Sequence, residues 1–318
     1  MKKILVCMEL EPRHKQKLEA AAPGCAFIYA PGKSLTKEMV QEANILIGFP
    51  PPAWIQASPR LELLQLYSAG ADAYIKPGIL APETRLTNAT GAYGKAVSEH
   101  AFACTLMLMK KLHRYRDAQR EHAWRDAGMV TSISDATVLV VGLGDIGLCY
   151  ARQAKALGAR VIGVKRRPGA CPEGVDALCL TAEVDRVLPE ADVIFSILPG
   201  TADTHHFYTR ERFALMKPSA IFVNCGRGSA VETQVLEEAL RSGQIAAAAV
   251  DVTEVEPLPA DSPLWDLDNL LITPHVAGNF HLEDIRERVV DIAAENLDAY
   301  LNGRPLRNVV DFATGYKK

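Results

Sequence analysis

The stretch ATVLVVGLGDIGLCYARQAKALGARVIGV, residues 136–164, limits what this chain can fold into more than any other. An apolar run, Val138–Val141, ends at Gly142, Gly144 and Gly147 in G-x-G-x-x-G spacing. Good helix formers follow, and a second apolar run spans Val161–Val164. Alone the three glycines are a weak signal; between a strand and a helix they read as a dinucleotide-binding turn. The first glycine permits the tight turn, the second lets backbone approach a pyrophosphate, and the third lets helix and strand pack closely. The helix start then offers free N–H groups and a partial positive charge to the phosphates. Asp145 and Ile146 lie inside this turn. A carboxylate aimed at a pyrophosphate would repel it, so Asp145 is expected to point to solvent and favour the helix start through the dipole.

The end of the second strand carries the next constraint. An acidic residue is expected there, about 20 residues past the glycines, to accept from a ribose 2′-OH. Lys165 stands there instead, and Arg166 and Arg167 follow. Guanidinium groups fork onto a phosphate, whereas a carboxylate would reject it. The expected cofactor is therefore NADP in preference to NAD.

The flanking regions repeat the pattern of short apolar runs separated by helix-length gaps. Residues 3–8, 25–30, 43–48 and 61–70 read as strands of one unit. Residues 191–198, 219–226, 246–252 and 270–275 read as further strands of the other. Near-continuous apolar strands of this kind belong to parallel sheets covered on both faces. FPPPAW, residues 49–54, reads as a stiff loop, since proline cannot feed a central strand. A long helix is expected from Ser98 to about residue 122, and an amphipathic one over 283–302, stopped at Asn302-Gly303. The fold class is α/β: a smaller unit, a long helix, a larger unit and a returning helix.

Bulk properties exclude several classes of function. The net charge of −3 over 318 residues provides no basic field for nucleic acid. No apolar run reaches the roughly 18 residues of a membrane span, and the apolar start of MKKILVCMELEP reads as a strand. Seven cysteines, an odd number without C-x-x-C or Cys/His metal spacing, point to reduced thiols in a cytoplasm and to no metal site.

The glycine turn, NATGAYGKAVSEHAFA (88–103), VNCGRGSAV (223–231), AVDVTEVEPLP (249–259) and NLLITPHVAG (269–278) together resemble the D-isomer-specific 2-hydroxyacid dehydrogenase family over nearly the whole chain. Within it, the chain resembles the glyoxylate/hydroxypyruvate reductases. The resemblance implies a Rossmann cofactor domain, 99–287, inserted in a smaller flavodoxin-like substrate domain built from 1–98 plus 288–318. It implies a homodimer held by the long helix and the segment after it. Domain closure is expected to seal the substrate, with hinges near Ser98 and residues 283–288.

Reducing a small 2-keto acid requires a cation for the carboxylate, a proton donor for the carbonyl oxygen, and a group that stabilises the protonated donor. The resemblance maps these roles onto Arg227, His275 and Glu256. A forked guanidinium suits carboxylate and carbonyl oxygens together, imidazole exchanges a proton near neutrality, and a neighbouring carboxylate stabilises imidazolium. His281 and Glu254 are the competitors for the last two roles. An acid at 256 argues against formate dehydrogenases, which carry an amide there. The resemblance further assigns Asp251 to the nicotinamide carboxamide. It assigns Leu198, Pro199, Thr204 and Gly278 to the cofactor cleft, and Cys225 and Gly226 to the nicotinamide by backbone. Backbone N–H groups of Ala69, Gly70 and Ala71 are assigned to the substrate carboxylate, where small residues allow close approach. Tyr67, Tyr74, Tyr93 and Phe280 are candidates either for the pocket wall or for packing. A nucleotide-sensing co-repressor-like protein and a short-form phosphoglycerate dehydrogenase are the competing readings. Replacing Arg166 and Arg167 by Ala should shrink the ratio of kcat/KM with NADPH to that with NADH.

Overall fold

The computed structural model describes residues 1–56, 58–312 and 315. The last residues of the expected 288–318 segment, 313, 314 and 316–318, lie outside that description. The chain forms two compact units, one from Met1–Tyr93 with the chain from Phe280 on, the other from Gly94–Asn279.

In the first unit five strands form one parallel sheet: β1 (Lys3–Val6), β2 (Ala26–Tyr29), β3 (Ile45–Ile47), β4 (Leu63–Gln65) and β5 (Arg85–Thr87). Their order is β2-β1-β3-β4-β5, which is the flavodoxin-like arrangement. The register pairs Ile4 with Ile45 and Leu46 with Leu64, so the apolar runs stack through the middle of the sheet. Leu5, Leu46, Leu64, Leu86 and Tyr74 make one core. The helix Glu283–Leu301 returns to this unit and lies along the helix Pro12–Ala21. Buried His14 reaches Glu287 at 2.8 Å across that contact, and Lys17 pairs with Asp291.

A buried polar knot fastens the returning helix to the sheet. The Asn296 side-chain amide donates to Gln65 Oε1 at 2.6 Å and to the Arg307 carbonyl at 3.0 Å. Its oxygen accepts from Arg307 N at 2.8 Å. Thr87 Oγ1 donates to the same Gln65 oxygen at 2.7 Å. Gln65, Thr87 and Asn296 are all fully buried, so the bonds among these three have no water as a substitute.

In the second unit seven strands form a second parallel sheet: β6 (Thr137–Val141), β7 (Arg160–Lys165), β8 (Ala177–Leu180), β9 (Val193–Ser196), β10 (Ile221–Asn224), β11 (Ala247–Val250) and β12 (Leu270–Ile272). The order is β12-β11-β10-β9-β6-β7-β8. Counted from β6, this is the dinucleotide-binding order 3-2-1-4-5-6 with one strand added. The chain reverses direction across the sheet between β6 and β9, which pair Val138 with Val193. The helices Gly94–Met109 and Asp145–Ala156 pack on each other, and Phe102 meets Tyr150 edge-on at 5.4 Å. No helix among the described residues is long and apolar enough to cross a membrane.

The structure departs from the sequence reading in four places. β5 and β8 were not anticipated. Arg85–Thr87 has only three residues, one exposed, and Ala177–Leu180 is a half-buried edge strand, so neither shows a long apolar run. The long helix starts at Gly94 and breaks at Lys111, which takes a left-handed φ of 54°; a separate helix, Leu112–Arg120, follows. The expected loop 49–54 runs into a helical turn at Pro52–Ile55, because proline is tolerated at a helix start. The end of the last helix agrees with its stop signal: Gly303 is left-handed, φ 64°, just after Asn302.

Asn296→Ala removes three bonds and leaves the buried Gln65 oxygen with the Thr87 hydroxyl as its one remaining donor among the described residues. It should lower the stability of the unit by about 2–4 kcal/mol, read as a lower urea midpoint at an unchanged slope.

Candidate active site

A parallel sheet delivers the ends of all its strands to one edge, and ligands of such folds bind outside that edge. The candidate residues of the second unit follow strand ends there: Gly142 after β6, Lys165 ending β7, Leu198 after β9, Arg227 after β10, Asp251 and Glu256 after β11, and His275 after β12.

The glycine turn is built to be bare. Gly142 has φ +110°, a conformation other residues rarely adopt, and a Cβ there would meet the Ile197 carbonyl oxygen at 2.9 Å. A Cβ on Gly147 would sit 1.9 Å from the Gly142 carbonyl oxygen, so the helix presses directly on the turn. In front of Gly144, which caps the helix, a Cβ would meet nothing within 4 Å. Ile146 packs its side chain on the core beneath. Asp145 does not point to solvent as expected. Its carboxylate lies against Gly94, 2.7 Å from where a Cβ would stand, and Oδ2 is buried without a partner. The glycine at 94 makes room for it, which takes its charge off the turn.

Past β7, Lys165 Nζ donates to the Ala170 carbonyl at 3.3 Å, closing the loop on which Arg166 and Arg167 are exposed. Across the sheet, Leu198 is buried and Pro199 partly so. Thr204 is also buried, and its hydroxyl donates to the Pro199 carbonyl at 2.5 Å, so it shapes the loop 199–204 from within.

His275 and Glu256 meet directly, Nδ1 to Oε2 at 2.7 Å. The second oxygen of Glu256 accepts from Thr253 N at 3.0 Å, which fixes the carboxylate plane. Among the described residues the other imidazole nitrogen makes no hydrogen bond, on a side chain 51% exposed. Glu254, the competitor, is engaged elsewhere, by His206 at 2.9 Å and by the Thr233 amide and hydroxyl. His281 lies in the first unit, exposed, just ahead of the returning helix.

What aims His275 is Asp251, which is buried. Asp251 Oδ1 accepts from Val276 N at 2.9 Å and from the Thr273 hydroxyl at 2.6 Å, and Oδ2 accepts from Ala277 N at 3.1 Å. The Asp251 carbonyl accepts from His275 N at 2.8 Å. His275 sits at φ 53°, a left-handed backbone held on both sides by these bonds. Gly278 continues the same turn. The Thr273 oxygen, its proton directed at Asp251, accepts from His100 Nε2 at 3.1 Å.

Arg227 leaves the turn after β10. Asn224, fully buried, accepts from Gly226 N at 3.1 Å and donates to the Arg227 carbonyl at 3.1 Å, so its amide sets the path of that turn. Arg227 Nη1 donates to the Gly226 carbonyl at 2.9 Å. A Cβ on Gly228 would fall 1.9 Å from the Thr253 carbonyl, so the arginine turn lies flat against the loop that carries Glu256. Burial pushes the Cys225 thiol well up, with Asp251 adding to the effect, and Cys104 up to about 11. Both stay protonated near neutrality and are poor nucleophiles.

In the first unit, the loop after β4 carries Ala69, Gly70 and Ala71. Their carbonyls are tied to the protein by Asn88 Nδ2 at 2.8 Å, Ser68 Oγ at 2.7 Å and Tyr74 N at 2.9 Å. Among the described residues their amides donate no hydrogen bond within the protein. Three small residues in a row thus present unused N–H groups, as an anion requires.

Three further residues build this site without standing out in the sequence: Asn224, Thr273 and His100. Asn224 had a readable signal, an Asx residue at a strand end two positions before a glycine. Thr273 and His100 act through a hydrogen bond across 173 residues of chain, which no local pattern reveals.

The family model for D-isomer specific 2-hydroxyacid dehydrogenase, NAD binding domain, matches residues 102–277. The chain is 31% identical over 293 residues to a glyoxylate reductase of Korarchaeum cryptofilum, covering 88% of this chain and 86% of that one. Among solved structures it is similar to a D-isomer specific 2-hydroxyacid dehydrogenase family protein from Aeromonas salmonicida, with a TM-score of 0.84, 34% identity, and 98% and 99% of the two chains covered. It is also similar to a D-isomer specific 2-hydroxyacid dehydrogenase from Xanthobacter autotrophicus, solved with NADPH and MES, with a TM-score of 0.85, 30% identity and 99% of each chain covered.

Asp251→Ala would release the two amides that follow His275. Hydrogen exchange at Val276 and Ala277 should accelerate by about tenfold to a hundredfold, as the loss of a bond to a charged acceptor implies.

Proposed function

Since the chain belongs to the D-isomer specific 2-hydroxyacid dehydrogenase family, we propose that it reduces a small 2-keto acid to the D-2-hydroxy acid with NADPH. The observation that carries this reading is the 2.7 Å contact of His275 with Glu256 at the strand edge that also bears the glycine turn. A proton donor held by a carboxylate, beside a dinucleotide site, is the equipment of carbonyl reduction.

The turn fits a dinucleotide, because its clearance in front of Gly144 and its bare glycine backbone leave space for a pyrophosphate at a helix start. Bound there, NADPH supplies the hydride for the substrate's C2 carbon. His275 donates the matching proton to the carbonyl oxygen, and Glu256 stabilises the imidazolium before transfer. Arg227 holds the carboxylate and polarises the carbonyl. Ala69, Gly70 and Ala71 offer their unused amides to the carboxylate. Lys165, Arg166 and Arg167 are assigned to the 2′-phosphate. The Xanthobacter relative holds NADPH, and the Korarchaeum relative is a glyoxylate reductase, which supports both the cofactor and the substrate class. Among the described residues one oxygen of Asp251 accepts a single bond, which leaves it capacity for the nicotinamide carboxamide.

The same reading assigns residues 99–287 to the cofactor and 1–98 with 288–318 to the substrate. It makes the protein a cytoplasmic homodimer. Support for the dimer comes from Leu112, Tyr115, Trp124, Met129 and Val130, large apolar side chains all exposed within one short stretch. Light scattering on the purified protein should give twice the chain mass.

His275→Ala should lower kcat about a hundredfold or more while NADPH still binds, and Glu256→Gln should lower it by a smaller factor. Arg227→Ala should raise KM and lower kcat together. Steady-state assays following NADPH oxidation decide the matter: rates near wild type in both the His275 and the Arg227 variants would refute the reading.

A further inference from the structure

At the strand edge of the first unit four aromatic rings form a row. Tyr74 is fully buried, its hydroxyl donating to the Pro50 carbonyl at 2.6 Å. Phe49 stands edge-on to it, 5.0 Å between centroids. Tyr67 follows, 5.8 Å from Phe49, and Phe280 comes next, edge-on to Tyr67 at 5.5 Å. The Arg286 guanidinium lies 5.7 Å over the Phe280 ring. The Tyr93 hydroxyl donates to the Tyr67 carbonyl and holds that end of the strand. The row is therefore preset, anchored at one end in the core and braced at the other by a cation.

The row is not all core. Tyr74 is buried, but Phe49 is 41% exposed, and Tyr67 and Phe280 are each half-buried. Tyr67 precedes Ala69 by two residues, at most about 7 Å of chain. The loop with three unused amides and Tyr67, in the middle of the aromatic row, thus belong to one strand end. An acid whose carboxylate rested on those amides would have the exposed rings within reach of the group on its C2. The hydrogen atom of glyoxylate makes no use of them. A planar apolar group does, through offset or edge-to-face contact with Phe49, Tyr67 and Phe280.

We propose that this row is the specificity wall of the site, and that the substrates it selects are 2-keto acids with an aryl or large branched apolar side chain. The proposal rests on the reductase reading and names its substrate class. Hydride transfer to C2 and protonation of the carbonyl oxygen by His275 are unchanged; only the substituent on C2 differs. Discrimination by an apolar pocket runs to about tenfold or more for each methylene-sized difference, so a whole ring should be read easily in kcat/KM.

The test is a comparison of glyoxylate, hydroxypyruvate, 4-methyl-2-oxopentanoate and phenylpyruvate, each with NADPH. For the wild type, kcat/KM for phenylpyruvate should exceed that for glyoxylate at least about tenfold. Phe280→Ala and Phe49→Ala should each cut the phenylpyruvate-to-glyoxylate ratio about tenfold. If thermal melting shows that either alanine variant fails to fold, Phe280→Leu and Phe49→Leu are read for the same fall in ratio. Glyoxylate reduced as well as phenylpyruvate, or a ratio that no variant moves, overturns the proposal and leaves the reductase reading standing. Reduction of none of the four acids overturns both.

Discussion

The Asp251 carboxylate governs the chemistry-bearing edge of this protein. It is buried, and within the protein it is matched by three donors, Val276 N, Ala277 N and the Thr273 hydroxyl. A buried carboxylate left unmatched would be expensive, so the segment after β12 has little choice but to wrap around it. That wrapping imposes the left-handed backbone of His275 and turns its ring to Glu256. Asp251 and Glu256 both follow β11, so one strand end sets the path of the histidine segment and provides the carboxylate its imidazole meets. His100 braces the arrangement from the helix Gly94–Met109 through Thr273.

The glycines answer a different constraint. The edge of the seven-stranded sheet is crowded, because the turns after β6, β10 and β11 press on one another or on the helix start. Gly147 and Gly228 sit where any side chain would overlap a neighbouring carbonyl. Their bareness lets backbone lie on backbone, which brings the arginine turn against the glutamate loop without a packing layer between. Asp145 shows the same economy of space: it fits only because residue 94 has no side chain. In the first unit the equivalent edge is assembled from small residues and rings. Among the described residues Ala69, Gly70 and Ala71 leave their amides unused, while Phe49, Tyr67 and Phe280 pack on one another.

Much of the fold was legible in the residues because parallel strands buried on both faces must be apolar along their length. Val138–Val141 and Ile221–Asn224 announce themselves in this way. Arg85–Thr87 does not, being short and opening on an exposed arginine, and Ala177–Leu180 is an edge strand that one neighbour suffices to hold. The break at Lys111 was hidden for a related reason. Its left-handed backbone is accompanied by a long-range bond, Lys111 Nζ to the Ala127 carbonyl at 2.7 Å, while helix propensity alone would run straight through.

The sequence by itself determined the βαβ unit, the cation run at the end of β7 and the residue types needed for acid–base chemistry. These depend on periodicity, on glycine's missing side chain and on the sign of charge, all of which are local. Only the tertiary structure decided that Glu256 rather than Glu254 meets His275, that Asp145 turns onto Gly94, and that His100, Thr273 and Asp251 form one chain of hydrogen bonds. Each of those outcomes depends on which groups compete for the same donor or the same space. That competition is settled by packing between segments far apart along the chain.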